Sequence, residues 1–172
     1  MIYKTKIDGS LFKISKLIAE LDYENYTKKK GSGQNPNALR GCLVGVIGER
    51  AVFLYLNDRK YTDIIPYGMR ERETGKKDWN NADIHFKNKT GRECKAEVKT
   101  IRKGSPRGQI TVIHGDKYLK EEIDAVFFVE IILFDKSADC TVYEILEPSK
   151  IVALPVRNNF FGIACYTKQK GE

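Results

Sequence analysis

Histidine, cysteine and long apolar runs are all in short supply in this chain, and each shortage excludes something. Only two histidines occur, and the four cysteines (Cys42, Cys94, Cys140 and Cys165) are scattered with no Cys-x-x-Cys pair. A zinc site is therefore disfavoured, and the cysteines are expected as small reduced hydrophobes rather than a disulfide framework. No apolar run approaches the roughly 18 residues needed to span a bilayer. The opening stretch Met1 to Ile7 lacks the apolar region of a signal peptide. A cytoplasmic protein with no membrane partner is expected. Internal repeats and low-complexity tracts are also absent.

Basic charge is present in excess, and it is concentrated. The net charge is +7, and between Lys87 and Arg107 eight basic residues stand against two acids, Glu93 and Glu97. Such a segment suits a polyanionic partner, although charge runs are commonly only solvated faces. At 172 residues the chain is long enough to form one domain, 1–172, with its own core.

Periodicity supplies the elements. Ser10 is expected to cap a helix over residues 11–26, with Leu11, Ile14, Ile18 and Leu21 as its packed stripe. A basic, glycine-rich loop follows from Lys28. Residues 41–56 read as a more buried helix carrying Glu49 inside an apolar run. That carboxylate either needs a partner or a metal, or lies on a narrow exposed stripe beside Arg50. Residues 58–80 form a long connector, of a length that is often functional. In it Arg70, Arg72, Lys76 and Lys77 are candidates for nucleic-acid contacts. Trp79 in the same connector either anchors it to the core or stacks on a base. A short strand is expected at 109–113, a helix at 116–122, and a doubly covered central strand at 125–134. Three C-terminal strands are expected, at 140–146, 151–156 and 161–167. The order implies an α/β protein with a mixed central β-sheet flanked by helices.

The chemistry lies in Asn81-Ala82-Asp83 and Glu97-Val98-Lys99. Apolar residues fall on even numbers from Ala82 to Phe86 and again from Cys94 to Val98. The turn-rich Asn88-Lys89-Thr90-Gly91 lies between. An antiparallel hairpin is expected, with Asp83, Glu97 and Lys99 on one face. His85 shares that face and is better read as a satisfied polar neighbour than as a ligand. His114 and Gln109 belong to no informative spacing. Two carboxylates with a nearby lysine suit Mg²⁺, which takes few protein ligands and keeps several waters; Mn²⁺ can substitute. The Val98 carbonyl is a further candidate oxygen for the metal. Lys99 is placed to orient a water or stabilise negative charge.

These residues together resemble the PD-(D/E)XK nuclease superfamily: helix-borne Glu49, Asp83, then Glu97-Val98-Lys99, a short helix and an apolar strand. The likeness spans about residues 41–134, with Ala82 standing where the family's name has proline. The resemblance implies a restriction-endonuclease-like core with additional C-terminal strands, and an Mg²⁺-dependent endodeoxyribonuclease. Asp83 and Glu97 would be metal ligands, Lys99 the catalytic lysine and Glu49 a supporting acid. Double-stranded DNA is the implied substrate, with Arg102, Lys103 and Arg107 as further contacts. A sequence-specific, restriction-type homodimer is the leading expectation, since cutting two strands requires two sites. A structure-selective nuclease and a non-catalytic nucleic-acid-binding module are the alternatives.

Overall fold

The computed structural model describes residues 2–30, 36–66, 82–102, 110–158 and 163–166. Strand β1 (Tyr3–Ile7) leads into α1 (Gly9–Lys30) and α2 (Pro36–Asp58). Then come β2 (Thr62–Pro66), β3 (Ile84–Lys87), β4 (Glu93–Arg102), the short β5 (Ile110–Thr111) and α3 (Val112–Lys120). Strands β6 (Ala125–Leu133) and β7 (Ala138–Leu146), helix α4 (Pro148–Val152), β8 (Val156–Asn158) and β9 (Ala164–Tyr166) complete the chain. Six strands form a mixed sheet in the order β1-β7-β6-β4-β3-β2, in which only β4 and β6 run parallel. A second sheet, β5-β9-β8, is antiparallel.

Each face of the large sheet has its own core. Ile47, Ala51, Val52 and Leu56 of α2 pack on Ile84, Ala96, Val98, Phe127 and Val129. On the opposite face Tyr118 of α3, Ile110, Ile151 and Tyr166 pack on Val126 and Phe128. Val126 to Val129 are thus all buried, as a strand covered on both sides must be. The small sheet holds α3 down: Tyr166 donates to Asp116 at 3.0 Å, and a side chain at Gly115 would strike the Tyr166 ring at 2.6 Å.

The hairpin takes the expected form. Ile84 pairs with Ala96 and Phe86 with Cys94, and all four are buried. Asn88 organises the turn by accepting from the amides of Thr90 (2.9 Å) and Arg92 (3.0 Å), while Gly91 takes φ +80°. Ala82 departs from the alternation. It lies before β3 starts and joins the core on the opposite face from Ile84.

Other expectations need correction. Helix α1 begins at Gly9, so Ser10 lies inside it and is not its cap; the Phe12 amide donates to Asp8 O at 3.1 Å. Its buried line is Phe12, Ser15, Ile18 and Ala19, whereas Ile14 and Leu21 are exposed. Small residues at Ser15 and Ala19 face the core, which displaces the expected stripe. Helix α2 starts earlier, at Pro36. Helix α3 also starts early, at Val112, because Thr111 caps it by accepting from the His114 amide. The strand expected at 151–156 is replaced by α4, started by Pro148 and followed by β8. Strands β1 and β2 were not foreseen.

Candidate active site

The site forms just before β3 begins. The register stops at Ile84 opposite Ala96. Asp83, one residue outside the strand, uses its side chain instead: Oδ2 accepts from the Val98 amide at 2.7 Å. Val98 is therefore tied to Asp83 through its own backbone. Beyond Ala96, β4 has a described strand neighbour only in β6, where Glu97 lies opposite Val126 and Lys99 opposite Phe128. Both side chains leave the sheet on the face covered by α3, as the alternation anticipated.

Glu97 is 8 % exposed, one of two polar residues among the described ones that reach full burial. Lys99 Nζ lies 3.5 Å from its Oε2 and 5.5 Å from the centre of the Tyr118 ring. Glu49 approaches from α2 and is half-buried. Its helix comes close because residue 48 is glycine: a methyl there would overlap Thr100 Cγ2 and lie 3.3 Å from Val98 Cγ1.

The electrostatics follow from three acids sharing a partly dry space. Burial, then the charge of Asp83, pushes Glu97 up to about 7 against the pull of Lys99. Burial also raises Asp83, opposed by the Val98 amide, Lys99 and Lys117. Glu49 lies well above the usual carboxylate range through burial, then Asp83 and Asp22, with Arg50 opposing. Burial pulls Lys99 down, yet Tyr118, Glu97 and Asp83 together leave it above its ordinary value. Lys99 lies beside Glu97, with Lys117 and Arg50 acting as further cations, and the acids still hold their protons more tightly than free carboxylates do. Among the described residues no three His, Cys, Asp or Glu side chains converge as a metal cluster. Protein ligation of a cation here would come from Asp83, Glu97 and a backbone carbonyl such as that of Val98.

Several residues at the site were not anticipated. The Tyr118 hydroxyl is buried with no close hydrogen-bond partner among the described residues, and burial, opposed by Lys99, pushes its pKa up to about 12. His114 stacks on Tyr118 with ring centres 6.3 Å apart, and its Nδ1 lies 2.8 Å from Thr111 Oγ1. Burial, then Lys99 and Lys117, lowers the His114 pKa. The four-residue step from His114 to Tyr118 was the available sequence signal. Asp22 reaches the site only through the packing of α1 on α2, which no local pattern announces. His85 lies opposite Lys95, on the Glu97 face of the hairpin.

The proposed nucleic-acid contacts are mostly not placed. Arg70, Arg72, Lys76, Lys77, Lys103 and Arg107 lie outside the described residues, as do Trp79 and Gln109. Arg102 is the last residue of β4, opposite Ile131.

No protein-family description, curated protein or solved structure matches this chain. No helix among the described residues is long and apolar enough to cross a membrane.

Proposed function

We propose that this protein is a divalent-metal-dependent endonuclease acting on double-stranded DNA as a homodimer, with a restriction-endonuclease-like core. The observation that carries the reading is the junction of β3 and β4: Asp83 held on the Val98 amide, with Glu97 and Lys99 beside it on one strand face. The order α2, antiparallel β2-β3-β4, α3 and parallel β6 supports the same reading. So do the raised pKa values of Glu49, Asp83 and Glu97, acids that a divalent cation would favour in their charged form.

Mg²⁺ held by Asp83, Glu97 and the Val98 carbonyl would supply a water acidic enough to attack near neutral pH, and charge compensation at the phosphate. The chain's own residues do the rest. The Val98 amide fixes the carboxylate of Asp83, so its free oxygen has a defined direction. Lys99, steadied by Glu97 and the Tyr118 ring, presents an ammonium to a phosphate oxygen or the attacking water. Glu49 adds a third carboxylate at the rim, able to orient water. The basic segment 87–107 draws the polyanion in. The restriction-type, sequence-specific form of the reading follows from the stretch of sequence between β2 and β3, which carries Arg70, Arg72, Lys76 and Lys77 and exceeds what hydrolysis requires.

The test is incubation with supercoiled plasmid and mixed phage DNA, with Mg²⁺ or with EDTA, beside Lys99→Ala. Discrete Mg²⁺-dependent fragments absent from the variant are expected. A smear lost in the variant would keep the active site and discard sequence specificity. Complete inactivity of the folded protein on linear, supercoiled and branched DNA would sink the nuclease reading.

A further inference from the structure

Ile14 (47 % exposed), Leu17 (60 %) and Leu21 (51 %) form one line along α1. Their steps of three and four residues are those of a coiled-coil seam. The side chains that α1 packs on α2 lie elsewhere on the helix, with Ile18 and Ala19 against Val46. One exposed leucine needs no explanation, but three in register on successive turns present a surface.

The charges along α1 indicate what covers it. Lys13 and Lys16 precede Leu17, and Glu20, Asp22 and Glu24 follow it; all are exposed except the half-buried Glu20. Such a segregated helix is complementary to itself when reversed. A two-fold axis at Leu17 sets that residue against its own counterpart, and brings Ile14 within one residue of the level of the partner's Leu21 and Lys13 within one residue of the level of the partner's Glu20. A parallel copy would set like charge against like. The basic run Lys28–Lys30 would fall beyond the start of a partner helix that begins at Gly9. The three acids after Leu17 disfavour an anionic lipid surface or a nucleic acid as occupant.

We propose that the Ile14-Leu17-Leu21 seam of α1 is a self-association surface on which a second copy of this chain packs antiparallel about a two-fold axis at Leu17. The inference locates the contact of the homodimer read above and stands on α1 alone. The seam is narrower than the roughly 800 Å² per partner of a standard interface, so association is concentration-dependent.

Sedimentation of the full chain without DNA, across the micromolar range, tests this. A reversible monomer–dimer equilibrium is expected. Leu17→Glu weakens it by at least about thirtyfold, because two carboxylates meet at the axis. Lys13→Glu and Glu20→Lys each weaken it about fivefold, and the double variant returns to within about threefold of the parent. Thermal melts of these surface variants check that the fold is retained. A dimer indifferent to Leu17→Glu overturns the proposal, as does a chain that stays monomeric throughout. A chain that dimerises without cleaving DNA refutes only the nuclease reading. One that cleaves as a monomer refutes this surface and the dimeric form of the nuclease reading, and leaves the active-site reading standing.

Discussion

Asp83 completes with its side chain a ladder that its backbone has left: Oδ2 takes the Val98 amide at 2.7 Å, one step past the last paired residues of β3 and β4. The carboxylate is thus a structural bond and a candidate ligand at once, and two substitutions separate the roles. Asp83→Asn keeps an acceptor oxygen and removes a charge that the site resists. Asp83→Ala leaves a shielded N–H without a partner, which costs about 1–3 kcal/mol. Both are expected to abolish cleavage, while chemical denaturation ranks the Asn variant above the Ala variant by about that amount. Equal stability of the two would remove the structural role.

Glu97 makes the metal-free protein sensitive to pH. Its pKa is about 7 when folded, against an ordinary 4.5. A raised acid holds its proton more tightly in the folded state. Over that window the native protein therefore carries more protons than the unfolded chain, and stability falls as pH rises. The penalty is absent below the unfolded value and complete above the folded one, and reaches about 3 kcal/mol. Urea unfolding in EDTA is expected to give a lower stability at pH 8 than at pH 5. Glu97→Gln should reduce that difference, and the remainder comes from Glu49 and Asp83, whose pKa values burial raises in the same direction. Mg²⁺ at pH 8 should stabilise the parent far more than the variant. A Gln variant with the parental slope would show that Glu97 is not the group responsible.

Gly48 sets how closely α2 approaches β4, and with it the position of Glu49. A methyl at 48 overlaps Thr100 Cγ2, whereas one at Gly45 meets nothing within 4 Å. Gly48→Ala is expected to destabilise by about 1–3 kcal/mol. Gly45→Ala is expected to stabilise by up to about 1 kcal/mol through helix propensity. Thr100→Ser removes the offending methyl, so the double variant Gly48→Ala, Thr100→Ser should recover most of the loss. Additive effects in that double-mutant cycle would disprove the contact.

Legibility in the sequence tracked how local the determinants are. The hairpin could be read because alternation and the turn Asn88-Lys89-Thr90-Gly91 act within about a dozen residues, and Glu97 and Lys99 inherit their common face from it. Ala82 could not, since the same alternation on paper begins two residues before β3 does. Residues Tyr3 to Ile7 do alternate, but their partner is β7, more than a hundred residues away. Strand β2 is hidden by a register shift between Thr62 and Ile65 and by Asp63 at φ +50°. On α1, apolar spacing marked a real line of residues but not which line faces the core; Ser15 and Ala19 decided that by allowing close approach. Glu49 left two readings open, and α2 settles it against Asp83 and Glu97 only through long-range packing.

Tyr118 is where the structure adds most to the site. Its ring lies under the Lys99 ammonium at 5.5 Å, and its buried hydroxyl, with no close hydrogen-bond partner among the described residues, lies near enough to Lys99 for each to act on the other. With a pKa pushed up to about 12, that hydroxyl keeps its proton at working pH and can only gain by donating it. Tyr118→Phe retains the ring and its cation contact. Stability is therefore expected to change by less than about 1 kcal/mol, because only a long contact with Lys99 is lost. Turnover is expected to fall about tenfold or more with the KM for DNA unchanged, the pattern of an interaction made only in the transition state. Tyr118→Leu also removes the support for Lys99 and should lower turnover further, at a cost in stability of about 1–3 kcal/mol from lost packing. Parental turnover in the Phe variant would confine Tyr118 to holding Lys99. Parental turnover in both variants would exclude it from the reaction.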